Sequence, residues 1–204
     1  MNSEDTLPKR ERLRLTHYDY SCGGFYFVTV CTKDKKHLFG EVRNGGMELN
    51  EAGKMIELVW REIANKFPFV QFDYFTIMPN HIHGIIQIVG ADLCVRPLNL
   101  HPRSSSPNER TSGVGPTRRS GPTHRSAPTL GRVMQWFKTI SINYYIHGIK
   151  NHGWRPFKDK LWQRGYYDHV IRHEGDLNRV RQYSQENPLK WKLDPENQER
   201  KLLK

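Results

Sequence analysis

Residues Tyr74 to Val89 leave the chain few ways to fold. Tyr74-Phe75-Thr76-Ile77-Met78 and Ile82-His83-Gly84-Ile85-Ile86-Gln87-Ile88-Val89 are two strand-like runs on either side of a Met78-Pro79-Asn80 corner. They are rich in β-branched and aromatic residues, and proline is tolerated at a turn but not inside a ladder. In the second strand His81 and His83 are two residues apart, so their imidazoles share one face while Ile82 points into the core. Two neutral imidazoles presented side by side and outward can grip one divalent cation. The chain has ten histidines, so a solvent-facing pair without a metal is the competing explanation.

The flanking segments extend this pattern. After Cys22-Gly23-Gly24, residues Phe25 to Thr32 read as a strong, buried strand, followed by a polar turn and a short strand near 39–42. Asn50 is placed to cap a helix over 51–66, whose apolar face is expected to carry Met55, Leu58, Val59, Ile63 and Phe67. Pro68 stops it, and a strand over 70–78 leads to the corner. From about 93 to 129 the composition changes to Ser, Pro, Thr, Gly and Arg, with Gly115-Pro116-Thr117-Arg118-Arg119-Ser120 repeated almost unchanged at 121–126. Proline at that density favours a disordered insert. A helix is expected over 130–149, with Val133, Phe137, Ile140 and Tyr144 on one face and Lys138 beside it. An extended segment follows over 161–172. A last helix starts near Glu174 or Asp176 and ends at Asn187-Pro188. The expected organisation is a basic flexible arm over 1–20, a single domain over 21–190 interrupted by the insert, and a charged tail over 191–204 that frays from Trp191 onward. Without the insert the order is strand–helix–strand–strand–helix–strand plus a terminal helix. That is an α+β, ferredoxin-like split βαβ: an antiparallel sheet with helices on one face and an additional C-terminal helix.

Charge narrows the partners. With 32 Lys and Arg against 21 Asp and Glu the net charge is +11, which favours nucleic acid over a membrane surface. Arg12 and Arg14, with Lys9 and Arg10, make the N-terminal arm a source of non-specific phosphate contacts. No apolar run is long enough to span a bilayer and the charged N-terminus lacks a signal-peptide core, so a cytoplasmic, nucleoid-associated protein is expected. Cys22, Cys31 and Cys94 show no metal-binding spacing and imply no disulfide.

The last expected helix completes a set of reactive groups. Tyr183 and Asn187 are four apart and share a helix face. The two histidines and the Asn187 amide oxygen would hold a divalent cation with positions open, the cation would polarise a phosphate, and Tyr183 would attack phosphorus. Each residue has a plainer reading. Tyr183 fits a helix surface, Asn187 before Pro188 fits a helix stop that leaves the αR region, and Tyr166 and Tyr167 fit core or stacking roles. Trp162 and Arg164 suit clamping an unpaired base or simple packing, and Lys138 suits contact with the scissile phosphate or cover for an apolar face.

Four pieces in this order, Gly24-Phe25-Tyr26-Phe27-Val28-Thr29, Met78-Pro79-Asn80-His81-Ile82-His83, Leu161-Trp162-Gln163-Arg164-Gly165-Tyr166-Tyr167-Asp168-His169 and Tyr183 to Pro188, resemble the REP-associated tyrosine transposases of the HUH single-tyrosine endonuclease group. The resemblance implies His81 and His83 as metal ligands, Asn187 as the third ligand, Tyr183 as the nucleophile and Mg²⁺ or Mn²⁺ as the ion. It implies cleavage of single-stranded DNA beside a hairpin through a 5′-phosphotyrosine, with a free 3′-OH able to rejoin strands, and it leaves room for a homodimer. The alternative is a non-catalytic hairpin-binding module with the topology of RNA-recognition domains, which bind through exposed sheet aromatics. Here Phe25, Tyr26 and Phe27 alternate too little to make a clean platform.

Overall fold

The structure is a computed structural model that describes residues 23–89 and 129–198. The N-terminal arm with Arg12 and Arg14, and nearly all of the Ser/Pro/Arg-rich insert, lie outside the described residues. In chain order the elements are β1 (Gly24–Cys31), β2 (Gly40–Arg43), β3 (Gly46–Leu49), α1 (Glu51–Lys66), β4 (Val70–Met78), β5 (His81–Ile88), α2 (Leu130–His152), β6 (Tyr167–Ile171) and α3 (Glu174–Glu186). Two single-turn 3₁₀ segments, Lys33–Lys35 and Trp191–Leu193, complete them. The main sheet has the order β4-β5-β1-β6 with every neighbour antiparallel. This is the expected ferredoxin-like α+β arrangement, with β2 and β3 added as a separate hairpin.

Strand alternation sorts side chains onto two faces. Tyr26, Val28 and Val30 of β1 lie opposite Ile86, Gly84 and Ile82 of β5 and pack under α1 and α2 with Ile56, Trp60, Ile63, Val133 and Phe137. Fully burying each such side chain contributes about 1.5–3 kcal/mol. The other face carries Phe27, Thr29 and Cys31 opposite Ile85, His83 and His81, and α3 covers it through Leu177 and Val180. Among the described residues the sheet therefore shows no open aromatic platform of the kind an RNA-recognition domain uses.

Helix ends follow local chemistry. Asn50 caps α1 by accepting from the Gly53 N–H at 2.9 Å, and its own amide donates to the Leu38 carbonyl. Thr129 caps α2, and Gly153 ends it in the left-handed region at φ 65°. His173 caps α3 by accepting from the Asp176 N–H through Nδ1.

Several expectations change. The short strand near 39–42 is the first half of a hairpin, whose turn at Asn44 and Gly45 takes positive φ at both positions, the two-residue geometry that Asn-Gly favours. Leu58 is 64% exposed rather than on the buried face of α1, where Ile56 and Trp60 sit instead. On α2 the buried position is Tyr145, and Tyr144 faces solvent. Helical spacing alone tolerates that one-residue rotation of the apolar stripe. Asn187, expected to leave αR before proline, stays in it at φ −56° and ψ −44°. The chain keeps turning past Pro188, with the Lys190 N–H donating to the Glu186 carbonyl at 3.0 Å. Finally, the tail does not fray over 191–198: Trp191, Asp194 and Asn197 are all buried.

Gly84 faces the indole of Trp60 so closely that an added Cβ would lie 2.2 Å from Cζ2. Gly84→Ala is therefore expected to destabilise by about 1–3 kcal/mol through overpacking, whereas Leu58→Ser should stay within about 0.5 kcal/mol. Denaturant unfolding of the two variants checks the pair, and equal midpoints would contradict this packing.

Candidate metal centre and nucleophile

The short β4–β5 corner and the β1–β5 pairing build the centre. Asn80, fully buried in the corner, donates through Nδ2 to the carbonyls of Lys35 (3.1 Å) and Glu196 (2.8 Å). Those two bonds fix the amide so that its Oδ1 faces His81 Nδ1 at 2.8 Å and accepts its proton. His81 Nε2 is consequently bare. His83 Nδ1 lies 2.8 Å from the Thr29 hydroxyl, which serves either tautomer as donor or acceptor. The two Nε2 atoms face each other at 2.9 Å. Contrary to the expectation of outward imidazoles, both rings are buried, at 0% and 2% exposure.

Burial sets their protonation. Desolvation, aided by the nearby Lys35 and His37, lowers the His81 pKa to about 3. Desolvation and then His81 push His83 well below its usual value, against an upward pull from Asp194. Both imidazoles are thus neutral near pH 7, the state that ligates a cation.

α3 brings the remaining groups. Its pose on the sheet is held by the Thr76 hydroxyl donating to the Ser184 carbonyl (2.9 Å), by Arg181 paired with Asp73 on β4 (2.7 Å), and by His169 bonded to Asp176 (2.8 Å). Tyr183 then stands beside the pair, its ring centroid 5.3 Å from that of His83 and 6.1 Å from that of Phe27, and 43% exposed. Phe27 stacks on His83 at 5.2 Å. Burial first, and then the Asp194 carboxylate, raises the Tyr183 phenol to about 12, while a bond from the Asn187 amide works in the other direction.

Because Asn187 remains helical, its side chain stays one turn below Tyr183 and enters the centre. Its Nδ2 lies 3.2 Å from His83 Nε2 and 2.8 Å from Asp194 Oδ2. Its Oδ1 is buried without a hydrogen-bond partner. Asp194, from the segment after α3, joins the histidines in a group whose candidate ligand atoms lie within 4.8 Å of one another. The sequence reading missed Asp194 because its nearness to β5 depends on how 191–198 folds back.

These residues fit a divalent cation. An orphaned buried carbonyl oxygen, two imidazole nitrogens and a carboxylate form a mixed N/O donor set suited to Mn²⁺ or Mg²⁺.

The expected DNA-contacting residues are dispersed. Trp162 is a core residue on the α2 side of the sheet, 3% exposed. Its indole N–H donates to Ser141 at 2.9 Å, and Phe39 and Phe137 pack against its ring, so it offers no face to a base. Lys138 Nζ donates to the carbonyls of Gln163 (2.9 Å) and Gly165, tying the 163–165 loop to α2, and burial lowers its pKa to about 8. Arg164, between those two residues, is exposed. Neither Lys138 nor Trp162 joins the His81–His83–Tyr183 cluster. Tyr166 packs against the main core, and Tyr167 is 52% exposed on β6. Cys31 is a free thiol raised to about 12, mainly by burial.

No family model matches the chain. An uncharacterized protein of Haemophilus influenzae is 35% identical over 190 residues, covering 91% of each chain. Two solved structures are similar at low identity. One is a REP-associated tyrosine transposase bound to a REP hairpin, with 15% identity, a TM-score of 0.46, and coverage of 87% of this chain and 74% of that one. The other is a putative transposase from Deinococcus radiodurans, with 13% identity, a TM-score of 0.40, and coverage of 84% of this chain and 95% of that one.

An unfolded histidine protonates near 6.5, and His81 in the folded protein near 3. Between those values the unfolded chain binds more protons, so stability is lost as pH falls through that window, by up to about 1.4 kcal/mol per pH unit for each such histidine. Urea unfolding in a chelator from about pH 7 to about pH 5 should show midpoints that fall, and a flat profile would contradict neutral buried imidazoles.

Proposed function

We propose that this chain, which belongs to one family with the uncharacterized Haemophilus influenzae protein, is a metal-dependent single-stranded DNA endonuclease and strand-transferase of the REP-associated tyrosine transposase kind. The observation that carries the reading is the convergence of two buried neutral imidazoles and the Asn187 side-chain amide beside one half-exposed phenol. A net charge of +11 supports a polyanionic substrate, and the four sequence motifs support a DNA hairpin.

His81 and His83 through Nε2, and Asn187 through Oδ1, would hold the cation. A bound Mg²⁺ or Mn²⁺ supplies Lewis-acid polarisation of the scissile phosphate and positive charge beside the phenol. Asn80 and Thr29 keep the imidazoles oriented, and Phe27 shields His83 from water. Tyr183 loses its proton to water at its exposed edge, and its Oη attacks phosphorus. The new O–P bond forms as the bond from phosphorus to the 3′ oxygen of the preceding nucleotide breaks, and that oxygen takes a proton from water and leaves as a 3′-OH. The product is a 5′-phosphotyrosine. Attack by another strand's 3′-OH regenerates Tyr183 and a phosphodiester, so joining needs no external energy. The contact of Tyr183 with His83 of its own chain supports a set of groups drawn from one copy.

A labelled single-stranded hairpin oligonucleotide, incubated with Mn²⁺ or Mg²⁺ and run on a denaturing gel, tests this. Wild type should give a protein-linked DNA band that is absent with chelator. Tyr183→Phe should lose the band entirely while retaining hairpin affinity within about threefold. Tight binding without a covalent band across several hairpins would favour the binding-module alternative.

A further inference from the structure

Asp194 is a buried carboxylate. It is 4% exposed, its Oδ1 accepts the Glu196 N–H at 2.6 Å, and its Oδ2 accepts the Asn187 amide at 2.8 Å. Among the described residues no Lys or Arg makes an ion pair with it, and the nearby Lys35 ammonium is taken by Glu196 at 2.9 Å. A carboxylate held away from water with only neutral donors is costly unless a positive charge accompanies it.

The segment that delivers Asp194 is built into the fold. Trp191 packs on the rings of His81 (6.0 Å) and His37 (5.5 Å). Asn197 Nδ2 donates to the Trp191 carbonyl, and Asn80 donates to the Glu196 carbonyl. Gln198 reaches the Asp34 carbonyl at 2.7 Å. Asn80 thus orients His81 with its oxygen and anchors this segment with its amide nitrogen, coupling the two sides of the centre.

The charge balance points the same way. Two imidazoles and one amide oxygen are neutral and would leave a buried dication uncompensated by protein. In the structure the Asn187 NH₂ lies between His83 Nε2 at 3.2 Å and Asp194 Oδ2, to which it donates at 2.8 Å. Asn187 turns its nitrogen, not its oxygen, toward His83, whereas Asp194 presents an anionic oxygen in the same cluster without rearrangement.

Resting on the proposed function, we infer that Asp194 is a direct ligand of the divalent cation, the anionic oxygen donor of a four-residue centre with His81, His83 and Asn187. Residues 191–198 are therefore a wall of that centre. Asn187 would hold the cation through the Oδ1 that is otherwise unpartnered.

Asp194→Asn tests this, since it removes the charge but keeps the size. The readouts are Mn²⁺ affinity by calorimetry and the visible absorption of the Co²⁺-loaded protein, with thermal melting in chelator confirming that the variant folds. Mn²⁺ affinity should fall at least tenfold and the Co²⁺ band should shift, because a ligand has changed. Affinity within twofold of wild type with an unchanged Co²⁺ band would overturn the inference and leave Asp194 as a hydrogen-bond partner of Asn187. Lys190→Ala, one turn away on the surface, should alter neither readout. Wild type that binds no Mn²⁺ at all would instead remove the proposed function together with this inference.

Discussion

Two imidazole nitrogens that face each other at 2.9 Å inside the protein set the terms for much of the structure around them. With a proton on one nitrogen they share a hydrogen bond, and with both bare they require a cation between them. Either state demands that the outer nitrogens be held, and the Asn80 amide and the Thr29 hydroxyl do so from the β4–β5 corner and from β1. Asn80 cannot hold His81 without also being held, and the carbonyls of Lys35 and Glu196 provide that. The 3₁₀ turn after β1 and the segment after α3 are thereby drawn into one hydrogen-bonded unit around β5. In a low-dielectric site such a network is rigid when fully satisfied and expensive when any member is left unpaired.

The second requirement is that a helix cross the sheet at the right place. The face of the sheet opposite α1 and α2 offers only a small apolar cluster, Phe27, Ile85, Ile171, Leu177 and Val180, so burial alone would leave α3 loosely specified. Polar ties to two edge strands supply the precision, Thr76 and Asp73 from β4 and His169 from β6. With α3 so fixed, Tyr183 stands over His83, and the continued helical geometry at Asn187 delivers its amide beneath. A half-exposed phenol thus stands beside a buried donor set.

The segments of the fold could be read locally because their signals are local. Asn50 before an apolar-periodic run, Pro79 between two β-branched runs, and Tyr183 four residues before Asn187 each act over one turn of chain. Three of the errors have a common origin in side-chain facing. Leu58, Tyr144 and Trp162 are apolar residues whose burial depends on which way an element rotates against its neighbours, and periodicity leaves that rotation uncertain by about one position. The Asn44-Gly45 turn signal was present and would have revealed the second strand of the β2–β3 hairpin.

What the sequence by itself determined is the order of elements and the shared face of His81 and His83, since strand alternation and helical periodicity are properties of the backbone. It also determined the pairing of Tyr183 with Asn187. Only the tertiary structure decided that the histidines are buried and neutral, that the chain keeps its helical turn through Asn187 despite Pro188, and that Asp194 reaches them. Burial is a property of what packs on top, and here that is α3 and a charged segment with no local preference for order. Trp191 and Gln198 fold it back because the His81 ring on β5 and the Asp34 carbonyl on the turn after β1 await them, contacts that span more than a hundred residues and leave no periodic trace in the chain.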